Sequence, residues 1–430
     1  MAFLLVAMAG AALLALPIAR QGDGSAPVVT ALFTSMSAVC VTGLTVVDTA
    51  DYWSAFGDGV LLVLMQVGGF GIMTLASLLG LVVAGRLRLS DRLVTQAETR
   101  TLGLGDVRRV IVRVAIIAAC VETAVAVLLA LRFHFGYDYG FGRSVWYGVF
   151  HSVASFNSGG FALYHNSLEG FVTDPMVTMP IVVATIIGGI GFPVVVELLR
   201  RAFAPSTWTL HTKITVLGSG ILLVVGFVAH LGIEWNNERT LGPLSFGNKL
   251  MAAFFASGMT RSTGFNTVPI GDLKPETWAV SDILMFVGGG SAGTAGGIKV
   301  ATFFLLAFVI WAEVRGEPDV SVFGRSIPSG TQRQALTVAL LGVAVVAVAT
   351  IGLLVVTDVQ LDRLVFDVVS AFGTVGLSTG ATAELGAFGQ LILTALMFTG
   401  RVGTVSVATA LALRTRHRRY HYPESRPIIG

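Results

Sequence analysis

The sequence of 430 residues has little charge and almost no cysteine. Only 12% of the residues are Asp, Glu, Lys or Arg, against about a quarter in ordinary soluble domains, which excludes that class. The net charge of +3 comes from dispersed basic residues, so no nucleic-acid partner is indicated. Cys40 and Cys120 stand in apolar stretches without disulfide or metal-site spacing, and we expect both to be buried.

Apolar sequence is abundant instead, because 54% of the residues are hydrophobic. Eight runs approach the roughly 20 residues that a helix needs to span a bilayer. Backbone polar groups inside a bilayer must be satisfied internally, and runs of this length do so as helices. The chain is therefore predicted to be an all-α, multi-pass integral membrane protein. The runs are Met1–Ile18, Gly59–Val83, Val110–Leu131, Val177–Leu199, Ile214–Leu231, Leu284–Val309, Ala335–Val356 and Ala387–Leu413.

Between the two members of each successive pair of runs stands a stretch of about 11 residues, which is too short to cross and indicates a re-entrant helix. The chain is thus predicted to hold four tandem helix–pore-loop–helix repeats. The predicted repeats cover 1–85, 110–203, 204–312 and 335–414, with cytoplasmic segments at 86–109, 313–334 and 415–430. The short stretches are Val28–Ala38, Ser144–Ser155, Phe246–Ala256 and Leu361–Ala371.

Basic residues are unevenly distributed between the two sides of this topology. The loops and the tail that follow the second apolar run of each repeat hold seventeen Lys and Arg residues, and the loops on the opposite side hold eight. The positive-inside rule therefore predicts a cell-membrane protein with both termini in the cytoplasm.

A glycine followed by a bulky apolar residue comes after each short stretch, at spacings of 117, 104 and 112 residues. In repeat 2, Gly159 competes with Gly160, and Gly160 is preferred because Phe161 follows it. Four such loops around one axis can turn carbonyl oxygens inward and replace the water shell of a monovalent cation. The predicted filter residues are Val41, Thr42, Gly43, Ser158, Gly159, Gly160, Ser262, Thr263, Gly264, Thr374, Val375 and Gly376.

A second glycine cluster follows each of these landmarks by 24 to 29 residues, measured to Gly69, Gly189, Gly289 and Gly400. Close helix packing is the simpler explanation of this cluster. In repeat 3 the run is dense enough to break the helix, which favours a movable plug over static packing. The predicted gate residues, which include two intramembrane charges, are Gly289, Gly290, Ser291, Ala292, Gly293, Thr294, Ala295, Gly296, Gly297, Lys299 and Arg401.

With four such repeats, the chain resembles the Trk/Ktr/HKT superfamily of potassium transporters over essentially its whole length. The segment 289–299 resembles the intramembrane gating loop of that family, and the tail 422–430 resembles that of the Ktr-type membrane subunit. The resemblance implies a potassium-channel-like fold with fourfold pseudosymmetry, and a homodimer with one pore per subunit. It also implies a cytosolic RCK-type ring that binds ATP or ADP, and Na⁺-stimulated uptake. Arg401 would then lie below the filter, where it opposes cations.

The resemblance implies K⁺ as the substrate, a role for Na⁺, membrane lipid as the surroundings and no covalently bound cofactor. Nucleotide would bind the partner, since this chain has no soluble domain for it. An alternating-access cation carrier is the alternative, although repeats of one direction favour a pore. An enzyme is not indicated, because the histidines lack zinc spacing. Glu122 is expected to form an ion pair, with Arg113 as one candidate partner.

Overall fold

The computed structural model of the chain describes residues 2–85 and 104–403, together with residues 407 and 410. Most of the predicted basic loop 86–109 and the whole predicted tail 415–430 lie outside the described residues. The described part is mostly helical, and its strands are one antiparallel hairpin of Ser321–Val322 and Arg325–Ser326.

The first helices of repeats 2, 3 and 4 are long, with 34, 25 and 26 residues, and each is apolar enough to cross a membrane. That of repeat 1 has only 13 residues. In repeat 2 the helix begins at Leu104, before the predicted repeat boundary at 110. The first helices are Ala2–Leu14, Leu104–Tyr137, Leu210–Glu234 and Ser329–Leu354.

Four short helices, here called pore helices, confirm the predicted re-entrant stretches. They contain 12 to 16 residues and end immediately before the predicted filter loops. Their C-terminal ends are deeply buried, and aromatic residues such as Phe33, Phe150 and Phe372 belong to the central core. The pore helices are Val28–Val39, Phe141–Phe156, Phe246–Met259 and Leu361–Gly373.

The second helices differ between repeats: among the described residues those of repeats 1 and 4 are uninterrupted, and those of repeats 2 and 3 are broken. In repeat 2 the chain bends by 104° at Gly191, whose φ of 100° is readily adopted only by glycine. Repeat 3 is interrupted at 287–299, as predicted, whereas a π-helical turn at Thr399–Gly403 follows the helix in repeat 4. The prediction of an unbroken helix is therefore wrong in repeat 2, whereas in repeat 4 the described residues are helical from Ala387 to Gly403. The second helices are Ala55–Gly85, Pro175–Ile190 with Phe192–Arg201, Pro275–Phe286 with Val300–Arg315, and Ala387–Phe398.

The two cysteines have different surroundings. Cys40, beside the filter loop of repeat 1, is buried as predicted. Cys120 is exposed, so the prediction of burial is wrong there. It lies on the first helix of repeat 2, where apolar side chains such as Val127 and Leu128 are also exposed. Because that helix turns an apolar face outward, a lipid-facing surface accounts for both observations.

Candidate functional site

The loops that follow the four pore helices meet at their glycines, in the order of the repeats. A Cβ atom built on Gly43 would lie 3.1 Å from Gly160 Cα, and one built on Gly160 would lie 2.7 Å from Gly264 Cα. A Cβ on Gly264 would lie 2.8 Å from the oxygen of Gly376, and one on Gly376 would lie 3.0 Å from the carbonyl carbon of Gly43. These contacts close a ring that has no room for a side chain at any of the four positions.

Three of these loops share an unusual backbone conformation. In repeats 1, 2 and 4 the ring glycine and the residue two positions before it have φ between 48° and 97°. Non-glycine residues persist there only where the surrounding structure fixes them. Repeat 3 differs, because neither Ser262 nor Gly264 has a positive φ. The six left-handed residues are Val41, Gly43, Ser158, Gly160, Thr374 and Gly376.

Serine hydroxyls support the ring in repeats 1 and 4. The backbone N–H of Gly43 donates to Ser37 Oγ at 3.1 Å, and that of Gly376 donates to Ser370 Oγ at 3.0 Å. Both serines belong to pore helices and are fully buried. The pore helix thus fixes both the position and the orientation of the ring glycine in these two repeats.

The second glycine cluster lets three second helices pack against the ends of the pore helices. A Cβ atom on Gly68, Gly188 or Gly400 would lie 2.8, 3.1 or 2.7 Å from the carbonyl carbon of a residue four positions before the ring glycine. Close packing therefore explains the cluster in repeats 1, 2 and 4. In repeats 1 and 2 the contact belongs to the glycine before the one chosen by spacing. The contacted residues are Val39, Phe156 and Phe372.

A cavity of about 530 Å³ opens on one side of the ring and is lined by all four ring glycines. The other lining residues follow these glycines in each repeat and include the acidic side chains of Asp48 and Glu169. Such a volume holds several water molecules. Carboxylates around it attract cations, so the cavity is suited to a hydrated cation next to the ring.

The loop of repeat 2 borders this cavity and contacts repeats 1 and 3 differently. His165 Nδ1 lies 2.8 Å from Asp48 Oδ2 and 3.4 Å from Asp51 Oδ2. The hydrogen bond to Asp48, followed by the charges of the two aspartates, raises the pKa of His165. Toward repeat 3, Asn266 Nδ2 donates to Glu169 Oε1 at 3.0 Å. Burial raises the pKa of Glu169, and this hydrogen bond opposes the rise.

On the other side of the ring, residues 287–299 of repeat 3 form an intramembrane loop. Its base is closed by hydrogen bonds from Gly288 N to Ile298 O at 2.9 Å and from Ile298 N to Phe286 O at 3.1 Å. Its tip binds the second helix of repeat 2, where Thr294 N donates to Gly188 O at 3.0 Å. Neighbouring helices thus satisfy the backbone of an irregular segment at membrane depth.

The intramembrane loop touches the filter loops of repeats 2 and 4. Thr294 Oγ1 lies 2.8 Å from Ser158 Oγ, and a Cβ atom on Gly296 would lie 2.8 Å from Gly373 O. Both contacts involve residues that precede the ring glycines, whereas the cavity is lined by residues that follow them. The loop and the cavity therefore approach the ring from opposite ends of the filter loops.

Two cationic side chains, one buried and one half-buried, bind carbonyl groups of this loop. Arg401 is only 2% exposed, and its Nη1 donates to Thr294 O. Lys299 Nζ donates to Ala295 O at 2.6 Å and more weakly to Gly296 O at 3.5 Å. Charges at membrane depth need such partners. Nε and Nη2 of Arg401 have no hydrogen-bond partner among the described residues.

Comparison with known proteins agrees with this architecture. The family model described as "TrkH: Cation transport protein" matches residues 5–417. The chain belongs to the TrkH family of cation transport proteins. This confirms the resemblance that the four repeats and their glycines indicate, and it makes the chain a multi-pass membrane transporter.

Individual TrkH-family proteins match over nearly their whole length. The chain is 34% identical over 429 residues to the Ktr system potassium uptake protein B of Bacillus subtilis (strain 168), covering 100% of this chain and 95% of the relative. It is 31% identical over 434 residues to the potassium/sodium uptake protein NtpJ of Enterococcus hirae, covering 100% and 95%. The crystal structure of the potassium transporter TrkH from Vibrio parahaemolyticus shares the fold, with a TM-score of 0.73 at 19% identity over 96% of this chain and 83% of that one.

The prediction of an ion pair at Glu122 is wrong. Glu122 was expected in an ion pair, but its Oε1 accepts from Asn157 Nδ2 at 2.9 Å and its Oε2 from Gln66 Nε2 at 3.1 Å. Asn157 Nδ2 also donates to Gln66 Oε1 at 2.8 Å. This network lies directly behind the filter loop of repeat 2, because Asn157 precedes Ser158.

Several supporting residues escaped the sequence analysis. Asp367 is fully buried in the pore helix of repeat 4 and accepts hydrogen bonds from Ser378 Oγ at 2.6 Å and from Thr382 N at 2.7 Å. It thereby fixes the loop that follows Gly376. The only signal for Asp367 is an acidic residue within an apolar stretch. The signal for Ser37 and Ser370 is a serine six residues before the ring glycine in two repeats.

Proposed function

We propose that the chain is the pore-forming subunit of a potassium uptake system. The observation that carries this proposal is the closed ring of Gly43, Gly160, Gly264 and Gly376, with one glycine from each repeat. A ring of backbone carbonyl groups can replace the hydration shell of a monovalent cation. The printed names of the full-length relatives support K⁺ as that cation.

The filter of this pore comprises the twelve residues 41–43, 158–160, 262–264 and 374–376. Each pore helix directs its C-terminal, partially negative end toward the ring, which favours a cation there. The cavity beside the ring supplies hydrated K⁺, and its carboxylates raise the local concentration. Dehydration then takes place between the cavity and the ring.

The intramembrane loop is the gate of the proposed pore, in its closed position. Residues 289–297 lie against two filter loops, and Lys299 and Arg401 bind loop carbonyls. The buried charge of Arg401 repels a cation that leaves the ring, and its hydrogen bond to Thr294 holds the loop in place. Opening requires these contacts to break together.

The remaining elements of the proposal concern assembly and regulation. The subunit forms a homodimer with a pore in each chain, and both termini face the cytoplasm. A cytosolic RCK-type ring that binds ATP or ADP controls the loop, and Na⁺ stimulates uptake. The relative called a "Ktr system" protein and the relative called a "potassium/sodium uptake protein" support these two elements.

Isotope uptake by the purified protein in liposomes tests the proposal. The full chain and a variant without Ala292–Gly296 are compared with and without competing Na⁺, and the variant needs no regulatory partner. We expect saturable K⁺ uptake by the variant and weaker uptake by the full chain. If neither protein transports K⁺ although both elute as folded particles, the proposal is wrong.

A further inference from the structure

The filter loop of repeat 3 lacks the internal supports of the other three loops. In repeats 1, 2 and 4 the residue before the ring glycine donates its N–H to a carbonyl five residues earlier. In repeat 3 the equivalent donor, Thr263, reaches only Met259, four residues earlier. The five-residue bonds are Thr42 N to Ser37 O at 2.8 Å, Gly159 N to Ala154 O at 2.6 Å and Val375 N to Ser370 O at 2.9 Å.

The hydroxyl support is also missing in repeat 3. Six residues before its ring glycine stands Gly258, where repeats 1 and 4 have Ser37 and Ser370. The N–H of Gly264 therefore has no serine hydroxyl at the position where those of Gly43 and Gly376 find one. Repeat 2 also lacks this serine, because Ala154 stands there, but it keeps the five-residue bond that repeat 3 lacks. The loop of repeat 3 is bonded to its own pore helix at Met259 O, and contacts from outside that helix add to this support.

Arg261 provides such contacts from the position three residues before Gly264. Its Nη1 donates to Ser219 O at 3.1 Å, and its Nη2 donates to Gly288 O at 3.2 Å and to Ser219 Oγ at 3.4 Å. In the other repeats this position holds Cys40, Asn157 and Gly373. Only repeat 3 has a cation there, and its planar fork joins two separate elements.

The two partners of Arg261 belong to different parts of repeat 3. Ser219 lies on the first helix, Leu210–Glu234. Gly288 lies at the base of the intramembrane loop, where its N–H pairs with Ile298 O. One side chain therefore connects the third filter loop to the base of the loop that closes the pore.

We propose that Arg261 is a positioning residue that couples the third quarter of the filter to the base of the intramembrane loop. A displaced loop base removes the acceptor at Gly288 and frees the filter loop of repeat 3. Selectivity for K⁺ over Na⁺ then depends on the position of the gate through this one side chain. The inference rests on the proposed function, because it requires a cation filter and a movable loop.

A double-mutant cycle in liposomes tests this coupling, with the ratio of K⁺ to Na⁺ uptake as the readout. Gly288→Ala displaces the loop base, because its Cβ would lie 3.0 Å from the carbonyl carbon of Gly296. Arg261→Gln removes the fork. We expect each change to lower the ratio by about tenfold, and the double variant to lower it no further, because both break one connection.

Ser37→Ala is the matched control, because it loosens the first quarter of the filter without a contact to the loop. The double variant with Ser37→Ala and Gly288→Ala should lower the ratio of K⁺ to Na⁺ uptake by the product of the two single factors. If Arg261→Gln also multiplies with Gly288→Ala, or if Gly288→Ala leaves the ratio unchanged, the coupling is absent. Arg261→Lys, which keeps the charge but loses the fork, replaces Arg261→Gln if that variant does not fold. K⁺ uptake by none of the folded proteins would instead contradict the proposed function.

Discussion

Repeats 1 and 3 contain the same sequence unit but fold differently after the pore helix. The second helix of repeat 1, Ala55–Gly85, runs through its glycine cluster without interruption. The corresponding segment of repeat 3 stops at Phe286 and becomes helical again only at Val300. The presence of a glycine cluster therefore does not by itself break a helix in this protein.

The difference is explained by glycine density and by the neighbours of the segment. Residues 67–76 of repeat 1 contain three glycines, whereas residues 288–297 of repeat 3 contain six. At about 1 kcal/mol per glycine, a helix would cost about 3 kcal/mol in repeat 1 and about 6 kcal/mol in repeat 3. The irregular loop of repeat 3 is also compensated, because repeat 2 and Arg401 bind its backbone. The backbone of repeat 3 is thus irregular where neighbouring segments satisfy its polar groups.

Deleting Ala292–Gly296 would remove the tip of the irregular loop that distinguishes repeat 3 from repeat 1. We expect this change to have the largest effect on K⁺ uptake. The deletion eliminates Thr294, which contacts Ser158, Gly188 and Arg401. A plug that is closed for about 99% of the time limits flux to about one hundredth, so we expect K⁺ uptake in liposomes to rise up to about a hundredfold.

Gly71→Ala in repeat 1 is the control for that deletion, because its Cβ would meet only Phe3, at 3.5 Å. We expect this variant to transport like the unmodified chain. Low uptake by the deletion variant at normal expression would show that the loop does not close the pore.

Replacing ring glycines compares the filter loops of repeats 4 and 3. Gly376 has φ of 97°, whereas Gly264 is not left-handed, and both are crowded by the next loop. Gly376→Ser adds backbone strain to the clash, so we expect it to lower K⁺ affinity or selectivity by about tenfold or more. Gly264→Ser should have a smaller effect. Unchanged uptake kinetics of Gly376→Ser in a strain deficient in potassium uptake would contradict the filter assignment.

Replacing Arg401 tests how much of the closed position depends on repeat 4. Arg401→Ala removes the hydrogen bond to Thr294 O but leaves the bond between Thr294 N and Gly188 O. We expect K⁺ uptake to rise about fivefold, less than after the deletion, because one charged hydrogen bond is lost. Arg401→Lys keeps the charge, so its K⁺ uptake should lie between that of the unmodified chain and that of Arg401→Ala. Uptake that stays fully dependent on the proposed regulatory partner would assign Arg401 a packing role.

Much of the fold could be predicted from the sequence, because length and glycine spacing are local properties. A stretch such as Val28–Val39 is too short to span a bilayer whatever surrounds it. The partners of Glu122 could not be predicted, because they depend on which faces of three helices meet. The bend at Gly191 also needs a backbone angle that composition permits but does not require.

The outer loop of repeat 2 offers the weakest test of the contrast between repeats 1 and 3. It binds repeat 1 through the titratable pair of His165 and Asp48, and repeat 3 through the neutral amide of Asn266. The raised pKa of His165 means that this pair is complete below about pH 6.5 and is lost as pH rises through the raised value. Loss of the positive charge leaves Asp48 and Asp51 uncompensated beside the cavity. We therefore expect the KM for K⁺ to fall about twofold between about pH 6 and pH 8.5.

His165→Gln should abolish this change in KM, because its side chain keeps a donor but does not titrate. Asn266→Ala removes the hydrogen bond that lowers the pKa of Glu169 but leaves the pair of His165 and Asp48 in place, so the part of the pH dependence that His165 contributes should remain. If His165→Gln retains the full pH dependence while Asn266→Ala loses it, the titratable contact lies on the side of repeat 3. The two sides of the loop would then have to exchange their assigned roles.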